Sequence, residues 1–244
     1  MVQDAHKIEV RHLSKSFGDT KILDDVSFDV YENEFLVILG PGQCGKTVLL
    51  NILAGMDTAD EGTVEFQDQD SNMGFVFQKY ALYNWKTVEK NVELPLKFRG
   101  VGKKERGRVA KKYIDLVGLN GFAHSYPVQL SGGMKQRVGI ARAYAMGHSM
   151  ILMDEPFGAL DAQTRYQMED ELLRMRSTEK ATVVFVTNNI EEAIYLGDRI
   201  LLFSDKPSRV VQEFVPELKR PRNNASDDFM AFRNVITQQM DLAL

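Results

Sequence analysis

Four short, uninterrupted apolar runs constrain the fold of this chain more than any other feature. They occupy residues 35–39, 150–153, 183–186 and 200–203, and none of them alternates polar with apolar side chains. Strands of this kind are buried on both faces, as in a parallel sheet that helices cover. Because helical patterns lie between the runs, the sequence predicts an α/β fold with a mainly parallel central sheet.

Two further parts of the chain have a different pattern. Val26, Phe28 and Val30 alternate with polar residues, and this spacing predicts an antiparallel β subdomain. Residues 86–148 carry only helical periodicity, which predicts a helical insertion into the α/β core.

We therefore expect a single domain over residues 1–244. Residues 1–85 and 149–215 would form the α/β core with its β subdomain, and residues 86–148 the helical subdomain. Residues 216–244 would form a C-terminal tail whose helix begins after Ser226. Its apolar residues, spaced by three or four, would pack back on the domain or serve a dimer contact; they are Phe229, Phe232, Ile236 and Met240.

Composition excludes several classes of function. The net charge of −4 argues against a general nucleic-acid binder. The single cysteine, Cys44, excludes an internal disulfide and fits a reducing compartment. Met1–Glu9 has no apolar core typical of a signal peptide, and no run reaches the roughly 18 apolar residues of a membrane span. A role at a membrane would therefore require a partner.

Residues 97–112 contain eight basic side chains and one acidic side chain. A solvated helical surface explains such a run, and so does a patch that faces a membrane or a partner. The pattern leaves both interpretations open.

A phosphate-binding loop follows the first buried strand. Residues 40–47 match the pattern G-x-x-x-x-G-K-[ST], in which successive backbone N–H groups surround phosphate oxygens at a helix N-terminus. Lys46 would neutralise phosphate charge, and the Thr47 hydroxyl would bind Mg²⁺. The candidate nucleotide-binding residues in this segment are Gly40, Pro41, Gly42, Gln43, Cys44, Gly45, Lys46, Thr47 and Val48.

Two more motifs point to the same chemistry. The strand at 150–153 runs directly into Asp154, which would hold the metal, and Glu155, which would polarise a water aimed at the γ-phosphate. Ser131, Gly132 and Gly133 open a helical segment and would present a hydroxyl and N–H groups to an anion. Together these motifs indicate an ATP-driven protein that uses Mg²⁺.

In this order the motifs resemble those of the ATP-binding subunits of ATP-binding cassette transporters, and the resemblance covers essentially the whole chain. It implies that Phe17 stacks on adenine, that Gln78 contacts the metal and assists catalysis, and that Asp161 lies in the D-loop near the nucleotide. Residues 130–136 match the family signature. Residues 153–165, 191–199 and 219–222 are most similar to the importer ATPases for nitrate, sulfonates and taurine.

The resemblance also implies partners. Two cassettes, identical or different, would pair so that Ser131 and Gly133 of one contact the ATP bound by the other. Closure on ATP and opening after hydrolysis would drive a permease, contacted near Gln78 and the helical insertion. An extracytoplasmic solute-binding protein would take part indirectly, and the subunit would lie on the cytoplasmic side of the inner membrane.

Several residues depart from the family pattern. Gly42 and Gln43 stand where Ser and Gly are usual, so Gln43 would adopt a backbone conformation that glycine reaches freely. Thr47 and Val48 replace the common Ser-Thr pair. We expect nucleotide binding to survive, because the minimal motif is intact. Cys44 is interpreted either as a small residue tolerated in the loop or as a redox-sensitive thiol with a lowered pKa.

Asn188 is the departure with the greatest consequence. The resemblance places there a histidine that contacts the γ-phosphate. Asparagine donates a hydrogen bond but carries no charge, so hydrolysis would continue at a reduced rate with Glu155 as base. The alternative is a nucleotide-gated regulatory subunit with little hydrolysis. Soluble cassette proteins of DNA repair or translation fit less well, because coiled coils and a second cassette are absent from the sequence.

Overall fold

The computed structural model describes residues 6–67 and 73–242, and the chain forms two compact units. The first unit comprises Met1–Asn72 and Thr182–Leu244, and the second comprises Met73–Ala181. In the described residues, no helix is both long enough and apolar enough to cross a membrane.

The first unit contains an antiparallel three-stranded sheet. Strand β1 (His6–Phe17) lies between β2 (Thr20–Tyr31) and β4 (Glu61–Phe66) and pairs antiparallel with both. Val26 and Val30 are fully buried, as their alternation with polar residues requires. The predicted antiparallel β subdomain is confirmed.

The same unit also contains a sheet built on β3 (Phe35–Leu39). Strand β3 pairs in parallel with β7 (Thr182–Thr187) and with β8 (Arg199–Phe203), and β9 (Val210–Phe214) pairs antiparallel with β8. Strands β3, β7 and β8 are buried along their whole length. The uninterrupted apolar runs of these strands therefore form a sheet interior, as predicted.

Three helices lie in the described part of the first unit. They are α1 (Lys46–Leu53), α6 (Ile190–Leu196) and α7 (Asp227–Leu242). The Ser226 hydroxyl accepts a hydrogen bond from Phe229 N at 3.4 Å, which confirms the predicted start of α7. Phe229 and Ile236 are buried, and the rings of Phe232 and Phe214 meet edge to face with centroids 6.2 Å apart. The apolar stripe of α7 thus packs against its own unit.

The second unit has two strands and four α-helices. Strand β5 (Gly74–Val76) pairs in parallel with β6 (Met150–Asp154), which is buried throughout. The helices are α2 (Val88–Phe98), α3 (Lys103–Leu116), α4 (Gly132–Ala145) and α5 (Ala162–Glu179). Short 3₁₀ turns at Asn120–Phe122 and Pro127–Gln129 connect α3 to α4.

Residues 86–148, all of which the structure describes, contain α2, α3, α4 and the two 3₁₀ turns but no strand. The compact unit that holds these helices runs from Met73 to Ala181, and is wider than the expected insertion because β5, β6 and α5 belong to it. Within its basic segment, Arg106, Arg108 and Lys112 form ion pairs with glutamates.

Candidate nucleotide site

The phosphate loop joins β3 to α1 in the first unit. Gly45 is the N-cap of α1 with φ of +112°, and a Cβ atom there would lie 2.7 Å from Ile22 Cγ2. Only glycine fits this backbone and this space. No side chain caps α1 in the described structure, so its first N–H groups and the helix dipole face the loop. This arrangement suits an anion.

Lys46 is fixed against the main chain of the loop. Its ammonium Nζ donates to Gly40 O at 3.0 Å and to Pro41 O at 2.8 Å, and the residue is only 3% exposed. Burying a cation is costly unless hydrogen bonds compensate, and the two carbonyls do so. The side chain is therefore held beneath the loop, whereas Thr47 at the start of α1 is exposed.

Gln43 has φ of +65°, the left-handed region that an L-amino acid seldom adopts. The expected glycine-like conformation is thereby confirmed. Gln43 and Gly42 are exposed and Val48 is half-buried. The loop keeps its form at Gln43 at the cost of local backbone strain.

Of the two interpretations of Cys44, the structure supports the small residue tolerated in the loop and contradicts the redox-sensitive thiol with a lowered pKa. Cys44 is fully buried, and burial raises the pKa of its thiol because the thiolate loses its hydration there. The Cys44 carbonyl accepts a hydrogen bond from the hydroxyl of Ser208, which is also fully buried. Ser208 thus supports the loop from the distant β8–β9 connection, and no local motif marks it in the sequence.

Asn188 lies beside the start of the phosphate loop. In the register of β3 and β7, Leu39 is opposite Thr187, and Gly40 N donates to Thr187 O at 3.3 Å. The next residue, Asn188, is exposed at the carboxyl end of the sheet, where ligands of parallel sheets bind.

The residues around Asn188 are held in place by hydrogen bonds. Asn189 caps α6 by accepting from Glu191 N and Glu192 N. The Thr187 hydroxyl donates to Glu192 Oε2 at 2.6 Å and accepts from Asn189 N at 3.0 Å. The turn that carries Asn188 is therefore fixed on both sides.

Gln78 and Glu155 are brought together in the second unit. Val76 pairs with Met153 across β5 and β6, and Gln78 and Glu155 follow just beyond the ends of these two neighbouring strands. Gln78 Nε2 donates to Glu155 Oε2 at 3.2 Å. Glu155 is half-buried with φ of +38°, and the adjacent Asp154 is buried at the strand end.

The signature residues begin α4. Ser131 is the N-cap, and its exposed hydroxyl accepts from Met134 N at 3.3 Å. Gly133 is buried, and a Cβ atom there would lie 2.6 Å from Thr164 Cγ2. The signature loop thus contacts the first turn of α5, which also carries the cap Asp161.

Asp161 caps α5 through Thr164. The main-chain N–H and the hydroxyl of Thr164 donate to its carboxylate at 3.0 and 2.7 Å. These hydrogen bonds hold the pKa of Asp161 below its usual value, so the carboxylate is ionised at neutral pH.

Phe17 ends β1 in the first unit with 51% of its surface exposed. Lys15 Nζ lies 5.2 Å from the ring centroid, within the range of a cation–π contact. An exposed ring of this kind can stack on a planar ligand.

The predicted residues therefore fall into two sets. The first unit carries Phe17, the phosphate loop and Asn188, and the second unit carries Gln78, Ser131–Gly133, Asp154, Glu155 and Asp161. Together with the parallel strands, the loop defines a P-loop nucleotide-binding protein of the α/β class.

Comparison with known proteins identifies the family. The ABC transporter family model matches residues 23–158. An uncharacterized ABC transporter ATP-binding protein of Methanocaldococcus jannaschii is 46% identical over 239 residues, covering 94% of this chain and 90% of the relative. The aliphatic sulfonates import ATP-binding protein SsuB of Bacillus thuringiensis subsp. konkukian is 38% identical over 236 residues, covering 95% and 93%.

Two solved structures support the same family assignment. The dimeric structure of MJ0796, a bacterial ABC transporter cassette, matches with a TM-score of 0.76 at 34% identity, covering 86% of this chain and 99% of that one. A second structure of the same cassette, in a post-hydrolysis state bound to ADP and Pi, matches equally well. The chain belongs to the ABC transporter family as an ATP-binding subunit, near the sulfonate importer group.

Proposed function

We propose that this chain is the ATP-hydrolysing subunit of a membrane importer for a small anionic solute. The main support for hydrolysis is the hydrogen bond that the Gln78 amide donates to the Glu155 carboxylate at 3.2 Å. A carboxylate is a suitable general base, because its oxygens accept a proton from water. Glu155 would polarise the attacking water, and Gln78 would orient the carboxylate.

The loop geometry supports the proposed phosphate ligands. The N–H groups at the start of α1 and the ammonium of Lys46 would bind the phosphates of ATP, and Phe17 would stack on adenine. Thr47, Asp154 and Gln78 offer the hydroxyl, carboxylate and amide oxygens that Mg²⁺ prefers. Bound there, Mg²⁺ would neutralise charge on the phosphates. Asn188 would donate to the γ-phosphate.

The signature loop supports a dimer. Ser131 is exposed at the N-terminus of α4, where a hydroxyl and N–H groups suit an anion. We infer that Ser131, Gly132 and Gly133 of one subunit contact the ATP bound by a second cassette, and that Asp161 lies near the same nucleotide. The second cassette is an identical copy or a different subunit.

A groove in the second unit suits a permease. Its volume is about 300 Å³, and its lining includes the rings of Phe75, Phe77, Tyr83 and Phe98. Phe98 is 81% exposed, and the neighbouring Trp85 is 72% exposed. Exposed aromatic clusters of this kind mark protein interaction sites. Through this contact the subunit would lie peripherally on the cytoplasmic side of the inner membrane.

The proposed solute is nitrate, a sulfonate or taurine. Two relatives are each named aliphatic sulfonates import ATP-binding protein SsuB, and these names support a small anionic solute. Solute selection would belong to the permease and to an extracytoplasmic solute-binding protein, which acts on this subunit indirectly.

Phosphate release from the purified chain tests the catalytic proposal. Glu155→Gln removes the proton acceptor and keeps the shape, so we expect a rate at least a hundredfold lower, on the order of other losses of a catalytic group. Glu217→Gln, at an exposed position of the first unit, is the matched control and should keep the rate. Equal rates for the Glu155 variant and the unaltered chain would reject the assignment of Glu155.

A second candidate function is a nucleotide-gated subunit that scarcely hydrolyses ATP, and the uncharged Asn188 favours it. Asn188→His separates the two functions. If the unaltered chain turns over slowly, the added imidazole should raise phosphate release by about tenfold. If the unaltered chain shows none and the variant does, the regulatory function is the better description.

A further inference from the structure

The last carbonyl groups of α6 accept hydrogen bonds from two arginines of the C-terminal tail. Arg222 is buried, and its Nη1 donates to Ile194 O at 2.6 Å and also to Gly197 O. Its Nη2 donates to Pro216 O at 3.1 Å. This one guanidinium thus joins the end of α6 to the beginning of the tail.

Arg220 adds three further contacts at the same place. Its Nη2 donates to Leu196 O at 2.6 Å and to Asp198 Oδ1 at 2.9 Å. Its Nη1 donates to Tyr195 O at 3.2 Å. The carbonyls of residues 194–197 lie where the helix ends, so no further helical N–H follows to pair with them. The two arginines supply those donors, and their charge also suits the negative end of the helix dipole.

Helix α6 depends on outside contacts because it has only seven residues. Helices this short are not stable by themselves in water. Arg233 of α7 provides another contact from the tail, since its Nε lies 3.2 Å from Glu191 Oε1. The tail therefore contacts both the first turn and the end of this short helix.

The first turn of α6 supplies the groups that fix the turn around Asn188. The main-chain N–H groups of Glu191 and Glu192 donate to the Asn189 side chain. The Glu192 carboxylate accepts from the Thr187 hydroxyl. Only a helical backbone aims both N–H groups at one capping side chain. Because so short a helix forms or melts as a whole, loss of its C-terminal contacts would also free the turn that carries Asn188.

We propose that Arg222 and Arg220 are positioning residues for the ATP site. By keeping α6 helical, they hold the Asn188 amide at the carboxyl end of the sheet, where it would donate to the γ-phosphate. This inference rests on the proposed function and extends it, because it gives the C-terminal tail a part in distinguishing ATP from ADP. ADP has no γ-phosphate, so its binding should not depend on these arginines.

The affinities for adenosine 5′-(β,γ-imido)triphosphate and for ADP, each with Mg²⁺, test this role without turnover. Arg222→Met removes the guanidinium and keeps an unbranched stem. We expect its affinity for the triphosphate to fall about tenfold, the value of a hydrogen bond to a charged group, and its affinity for ADP to change less than about twofold. Lys219→Met removes the same charge from an exposed position of the tail and should leave both affinities unaltered. Equal losses for the two nucleotides, or no loss, would overturn the proposal.

A double variant separates the positioning of Asn188 from a general loss of stability. Asn188→Ala should by itself weaken binding of the triphosphate by about tenfold. Adding Arg222→Met should then cause less than about twofold further loss, because the side chain that Arg222 positions is gone. Additive losses in the double variant would overturn the proposal.

Arg220→Met tests the same role if Arg222→Met does not fold. The Arg220 side chain is 31% exposed, and the substitution leaves the bonds of Arg222 in place. We expect a loss of about threefold for the triphosphate and none for ADP, since part of the cap remains. An equal loss for both nucleotides would contradict the positioning role.

Amide hydrogen exchange measures the helix directly. In Arg222→Met, exchange at residues 190–197 should be at least about tenfold faster than in the unaltered chain, because the helix opens locally more often. Exchange in β8, which is buried in the sheet, should be unaltered. Equal exchange at 190–197 in the two proteins would show that the arginines do not hold α6 and would overturn the proposal.

The proposed function and this inference fail differently. A chain that binds ATP without releasing phosphate would reject the proposed hydrolysis, and the affinities would still decide the role of the tail. If Asn188→Ala binds the triphosphate as tightly as the unaltered chain, the proposed contact with the γ-phosphate is rejected, and this inference with it. If Asn188→Ala loses affinity while the Arg222 and Arg220 variants keep it, the contact stands and only the positioning role is rejected.

Discussion

Gln43 occupies a left-handed position of the phosphate loop, with φ of +65°. Because glycine reaches this region without the clash that a Cβ atom causes, Gln43→Gly should raise the free energy of unfolding. The gain should be at most about 1 kcal/mol, since glycine also increases the entropy of the unfolded chain. Urea denaturation measures it. A loss of stability would show that the Gln43 side chain contributes more than its backbone strain costs.

Cys44 is the single cysteine, and its burial both shields the sulfur and raises the pKa of the thiol. At pH 8 the thiolate fraction is therefore lower than in the unfolded chain, where the pKa is ordinary. Alkylation by iodoacetamide should be at least tenfold slower in the folded protein than in denaturant. Mass spectrometry of the modified chain measures both rates. Rapid labelling of the folded protein would instead support the interpretation of Cys44 as a redox-sensitive thiol.

Helix α7 is attached to the first unit by one buried face. Ile236 is fully buried and Val235, its neighbour, is 47% exposed. Ile236→Ala should cost about 2–4 kcal/mol of unfolding free energy, because it removes packed methyl groups and leaves a cavity. Val235→Ala should cost about 0.5 kcal/mol or less. Similar losses for both variants, in the same urea experiment, would contradict the packing of α7 described above.

For the whole molecule, the arrangement of motifs leads us to expect ATP-dependent dimers. Glu155→Gln should bind ATP without hydrolysing it and so accumulate as a dimer, which sedimentation velocity detects. Adding Lys46→Ala should abolish the dimer, because the phosphate loop then loses the ammonium held by Gly40 and Pro41. A monomer at every ATP concentration would contradict the proposed role of the signature loop.

Most of the fold follows from local patterns. The runs at 35–39, 150–153, 183–186 and 200–203 are apolar because each strand is buried on both faces, and periodicity reports burial residue by residue. The helix caps Ser131 and Asp161 are also local, since each side chain bonds to a main-chain N–H three residues ahead. The positions of the motifs could therefore be predicted from the sequence. The left-handed backbone at Gln43 could be predicted as well.

Other features depend on residues that are far apart in the chain. Ser208 supports the phosphate loop from 164 positions away, and Gln78 reaches Glu155 across 77. The buried thiol of Cys44 and the bonds from Arg222 to the end of α6 are of the same kind. A sequence pattern records whether a residue is buried but not which distant residue covers it, because that depends on how the strands register and the helices pack. The motifs and their chemistry could be predicted from the sequence. The contacts that position the motifs, bury them and join them to one another depend on the packing of the folded molecule.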